Sequence, residues 1–158
     1  MKNNVMSSNF TYENMDCILL CDGSLLTKDN ISTIGWVIID AKTFVTISEG
    51  RSIIHPTTTT TQSELFSVVI GLLEAQKMNF NNVMIKTDFE GFIIHMDKNN
   101  KKISEFEILD KILNKFNSWG IEKIPRGELS RPHNLCSSID TTIDYCPKIN
   151  INDIEKTI

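Results

Sequence analysis

Three acidic residues stand where a carboxylate can do more than solvate a surface. Asp22 closes the apolar run "CILLCD", Glu64 opens the amphipathic run "TQSELFSVVIGLLEAQ" (with only polar residues ahead of it), and Asp88 closes "NNVMIKTD". Brought together, they would offer oxygen donors alone. Two unpaired carboxylates about 4 Å apart repel by roughly 4 kcal/mol at an effective dielectric near 20. A divalent cation removes that repulsion, and hard oxygen donors favour Mg2+ or Mn2+ over zinc. Each acid also has a local role open to it. Asp22 could begin a turn in "DGS". Glu64, three residues after Thr61, could complete a capping box, and Asp88 could cap a following helix.

A second set of candidate ligands lies late in the chain, where His133 and Cys136 are spaced HxxC and Cys146 follows. Zinc sites use such a spacing, usually completed by a second close pair, which this sequence lacks. Cys17 and Cys21 sit inside an apolar run and read as buried thiols.

The hydrophobic pattern sets out the elements that must position the acids. "CILLC", from Cys17 to Cys21, is a short continuous apolar run, as in a strand buried on both faces. "GWVIID" and "FVTISEG" read as second and third strands, joined closely enough for an antiparallel meander. Leu65, Val68, Val69, Leu72 and Leu73 then recur at helical spacing. "NNVMIKTD" reads as a fourth strand, so strand, helix and strand imply a parallel crossover. A short helix is expected through "FEGFIIHMDK" and a longer one in "SEFEILDKILNKFNSW", ended by Gly120. "IEKIP" is a fifth, edge-like strand because Pro125 cannot donate to a ladder. From Asn134 the chain holds weak helix formers up to Pro147. The expectation is an α/β domain over residues 16–147, with a five-stranded mixed sheet (three antiparallel strands plus two parallel) flanked by helices. Residues 1–15 read as a flexible arm and 148–158 as a tail. With strands one and four side by side and the helix across them, the three acids converge.

The 158 residues, 41% hydrophobic and 23% charged, fit one soluble domain with its own core. No apolar run approaches a membrane span and the start lacks the apolar core of a signal peptide, so an intracellular, cytoplasmic protein with no membrane partner is expected. A net charge of −4 argues against gripping nucleic acid by electrostatics alone. It leaves room for an enzyme whose metal ions supply local positive charge. Lys98, Lys101 and Lys102 make a modest basic patch, and Trp36 and Trp119 read as core residues.

Four pieces, "CDGS" with "GWVIID" downstream, "TTTQSELFSVVIGLLEA", "VMIKTDFEGFI" and "RPHNLCSS", together resemble the ribonuclease H family. The resemblance implies a ribonuclease H-like fold and an endonuclease that hydrolyses the RNA strand of RNA–DNA hybrids with two metal ions. It makes Asp22, Glu64 and Asp88 the catalytic, metal-binding acids, with Asp22 bridging the ions. Gly23 and Ser24 become the contacts that tell RNA from DNA by its 2′-hydroxyls, and Asn134 a further substrate contact.

One departure stands out. The family's last motif runs approximately R-x-x-N-x-x-A-D, matched here by Arg131, Asn134 and Ser137, but Ser138 stands where the fourth Asp belongs. The histidine that some variants carry is missing at Glu128, and His133 fits that role only in a different alignment. Asp140 would replace the lost acid if the chain there were extended, but faces away on a regular helix. The expected consequence is a weakened second ion and reduced activity that prefers Mn2+. The alternative is a degenerate ribonuclease H fold that binds nucleic acid or a protein partner.

Overall fold

The computed structural model describes residues 2–139 and 146–158. Among these, seven strands form one sheet in the order β1-β6-β5-β2-β3-β4-β7. They are β1 (Asn4–Met6), β2 (Cys17–Leu26), β3 (Ile31–Asp40), β4 (Thr46–His55), β5 (Asn82–Thr87), β6 (Ser118–Lys123) and β7 (Lys148–Asn150). The helices are α1 (Thr60–Lys77), α2 (Gly91–Met96), α3 (Glu107–Leu113), α4 (Ser130–Ser137) and α5 (Ile151–Thr157). The antiparallel meander β2–β3–β4 and the parallel pairs β2–β5 and β5–β6 give the five central strands in their expected arrangement. No helix among the described residues is long and apolar enough to cross a membrane.

The sheet has seven strands rather than five because both segments read as lying outside it join its edges. Val5 pairs with Ile121, and Phe10 is buried against Ile18 and Met84 instead of trailing in a loose arm. At the other edge Ile149 pairs with Ile54 in parallel, and Ile151 and Ile154 enter the core. Three-residue strands are too short to show an alternating pattern, so only tertiary pairing identifies them. Two boundaries also move. α3 stops at Leu113, and Trp119 and Gly120 lie in β6 rather than at a helix end. Phe44 and Val45 are exposed in a turn, where the Asp40 carboxylate accepts from the N–H groups of Lys42 and Thr43.

Side chains alternate along β2. Cys17, Leu19 and Cys21 are buried toward α1, whose Gly71 leaves room for Leu19 and Cys21. Leu65, Val68, Val69 and Leu72 of α1 close that layer, each contributing about 1.5–3 kcal/mol on burial. Ile18, Leu20 and Asp22 take the opposite face. β5 pairs with β2 only from Cys17 to Leu20. At Asp22, therefore, β2 keeps β3 as a neighbour but has lost β5. This opens a notch at the carboxyl end of the parallel pair, the usual place for a site in such sheets.

Candidate active site

Asp22 lies within β2 rather than at its end and is 4% exposed. Gly23 lets the first turn of α1 rest on the β2 backbone, since a Cβ there would fall 2.5 Å from the Ser63 carbonyl oxygen. That contact sets Glu64 beside Asp22. None of the three acids takes the local role open to it. Thr59 and Gln62 form the capping box of α1, with Gln62 Oε1 accepting from the N–H groups of Thr58 (2.7 Å) and Thr59 (3.2 Å). Ahead of α2, the Phe89 N–H donates to Thr87 Oγ1 at 3.1 Å, and no side chain caps the helix. Asp22 is in a strand ladder and starts no turn. Released from these duties, Asp22, Glu64 and Asp88 bring carboxylate oxygens to within 4.8 Å of one another.

The electrostatics report the crowding. Burial, then the charges of Asp22 and Asp88, pushes the Glu64 carboxyl up to about 8, against the opposing pull of Arg126 and the Gly23 N–H. Burial and then Asp22 also raise Asp88. Glu64 Oε2 is buried and has no hydrogen-bond partner among the described residues. A buried oxygen left so is unfavourable by about 1–3 kcal/mol. An all-carboxylate cluster with an orphaned, repelled oxygen fits a hard divalent cation. Arg126, in the 3-10 turn Arg126–Leu129, is a site neighbour that no sequence spacing connects to the acids.

Helix α4 reaches Asp22 differently from expectation. Gly35 pairs with Asp22 across the ladder, and α4 crosses directly over it. A Cβ on Gly35 would collide with the Pro132 carbonyl and lie 2.9 Å from Leu135 Cβ. This close approach places His133 Nδ1 at 2.9 Å and Cys136 Sγ at 4.0 Å from Asp22 Oδ2. His133 and, at longer range, the Cys136 thiol are thus the groups of this helix that hydrogen-bond to Asp22. Ser138 is engaged elsewhere, with its hydroxyl 2.5 Å from Arg51 Nη1 and donating to the Leu135 carbonyl at 2.9 Å. Arg131 makes a two-pronged pair with Glu49, so two arginine contacts fasten α4 to β4. Ser24 and Asn134 are exposed and Gly23 is half-buried. Asp140 lies outside the described residues.

Gly35→Ala is expected to destabilise the protein by about 3 kcal/mol, because backbone of α4 fills the space. Gly127→Ala, with nothing within 4 Å of its Cβ position, is the control and should change stability little. Denaturant unfolding of the two variants checks this; equal midpoints would show that α4 does not press on Gly35.

Residues 20–137 match the family described as reverse transcriptase-like. Solved structures are similar over most of the chain. Ribonuclease H1 from the halophilic archaeon Halobacterium salinarum NRC-1 is 17% identical with a TM-score of 0.65, over 77% of this chain and 94% of that one. LC11-RNase H1, isolated from compost by a metagenomic approach, is 22% identical with a TM-score of 0.68, over 82% and 99%. The same enzyme in complex with an RNA/DNA hybrid gives 21% and 0.65, over 81% and 99%. No curated protein matches the chain. At these identities the likeness shows the architecture, a ribonuclease H-like mixed sheet flanked by helices.

Proposed function

The chain belongs to the reverse transcriptase-like, ribonuclease H-like family, and from this we propose that it is a metal-dependent endonuclease hydrolysing the RNA strand of RNA–DNA hybrids. The observation that carries the reading is the meeting of Asp22, Glu64 and Asp88 in one notch, with Glu64 Oε2 left without a partner. The binding of an RNA/DNA hybrid by the similar LC11 enzyme supports the substrate class.

In this reading Asp22, Glu64 and Asp88 would hold Mg2+ or Mn2+. Such ions, when bound, activate water and stabilise charge on the phosphate. The chain's own contribution is positioning. The Gly23 N–H orients the Glu64 carboxylate, and the Arg126 charge acts on both Glu64 and Asp88. The exposure of Ser24 and Asn134 supports their reading as contacts to the RNA strand. The net charge of −4 leaves the attraction for phosphate to the ions and to local cations.

Ser138 brings no charge to the second ion and is held by Arg51, which supports reduced activity with a preference for Mn2+. The same contact favours the second reading, a hybrid-binding module that no longer cuts. Cleavage of a labelled RNA–DNA hybrid, titrated separately with Mg2+ and Mn2+, separates the two. Cutting of the RNA strand that is stronger in Mn2+ is the expected result. Binding with no cutting at any Mn2+ concentration assigns the protein to the second reading.

A further inference from the structure

The HxxC pair that lacked a companion in the sequence finds one in the fold. His133 and Cys136 lie one turn apart on α4, and the helix sets both against Asp22 of β2. His133 Nδ1, Cys136 Sγ and an Asp22 carboxylate oxygen all lie within 4.8 Å of one another. Asp22 and Cys136 are buried, 4% and 1% exposed, whereas the His133 side chain is 44% exposed, so an ion would have a way in. The thiol donates to the His133 carbonyl at 3.3 Å.

We infer that Asp22, His133 and Cys136 form a cation site of mixed oxygen, nitrogen and sulfur donors that takes a zinc-class ion in preference to Mg2+. Donor atoms around a tetrahedral zinc are about 3.4 Å apart for nitrogen and oxygen and about 3.6 Å for sulfur and oxygen. The observed 2.9 and 4.0 Å bracket these values, so small side-chain movements suffice. Imidazole and thiolate are donors that zinc-class ions accept and Mg2+ does not. Three protein donors leave a fourth position open. On binding, the thiol proton passes to solvent as the sulfur coordinates. The Gly35 contact with α4 supports the geometry independently, because a bulkier residue there would lift both donors away from Asp22. The site shares Asp22 with the proposed nuclease cluster, and a zinc-class ion bound there would compete for that carboxylate. It does not depend on the protein being a nuclease.

Co2+ serves as the probe, because a thiolate ligand gives it a near-ultraviolet charge-transfer band that carboxylate ligands do not. The full chain titrated with Co2+ should develop this band, and Zn2+ should remove it at far lower concentration than Mg2+. Cys136→Ser should lose the band, and His133→Ala should weaken Co2+ binding by about tenfold or more. Glu64→Gln and Cys146→Ser should retain it. Absence of the band in the unaltered protein, its survival in Cys136→Ser, unchanged affinity in His133→Ala, or its removal by Mg2+ at concentrations as low as those of Zn2+ would each overturn the inference. None of these outcomes depends on hybrid cleavage, so failure here is distinct from failure of the nuclease reading.

Discussion

Asp22→Asn is expected to reduce hybrid cleavage by roughly a thousandfold or more, which corresponds to about 4 kcal/mol of lost transition-state stabilisation. Asp22 is the carboxylate common to both ligand groups, so no other single substitution removes as much. Asn keeps the shape of the side chain and an oxygen for His133, and the backbone pairing with Gly35 is untouched. The change also removes one charge from a crowded cluster, so the metal-free protein should be as stable as the original or more so. The response to metal should disappear. Saturating Mg2+ or Mn2+ should stabilise the original protein by about 1–3 kcal/mol and leave the variant unmoved. Thermal melts with and without metal, run beside the cleavage assay, check both halves. A destabilised variant that still responds fully to metal would make Asp22 a structural residue.

Without metal, the protein is expected to lose stability as pH rises from about 4.5 to about 8. The sign follows from Glu64. Burial and its neighbours raise its folded value from 4.5 to about 8, so the fold favours the neutral acid. The stability this contributes is complete below the unfolded value and is lost as pH climbs through the folded one. Its ceiling is about 5 kcal/mol, and solvent screening reduces what is observed. Asp88, raised in the same direction, adds to the decline. Melting temperatures in chelator at a series of pH values across this window should fall. Glu64→Gln should flatten the slope, and saturating Mn2+ should abolish it. A flat profile for the unaltered protein would contradict the burial and crowding assigned to Glu64.

The three acids were legible in the sequence because each borders an element with a readable period. Asp22 and Asp88 follow apolar runs, and Glu64 stands just ahead of the helical stripe that begins at Leu65. What bound them was not legible. That Gln62 rather than Glu64 completes the capping box depends on the helix starting at Thr60, a boundary that the run of threonines blurs. The HxxC pair was visible, but its third donor lies 111 residues before His133 and reaches it only where α4 crosses Gly35. Ser138 was visible as a departure, while its partner Arg51 was not, because their contact forms across 87 residues of chain. The central strands β2 and β3 could be read from their apolar stretches, CILLC and WVII. β1 and β7, at three residues each, carry no pattern of their own and form because an edge of the sheet is there to pair with.

Calorimetric titration of Mn2+ into the unaltered protein, Asp22→Asn and Glu64→Gln tests the shared carboxylate pocket most directly. Saturable binding that vanishes in Asp22→Asn and weakens in Glu64→Gln is the predicted result. Identical isotherms for all three proteins would contradict it.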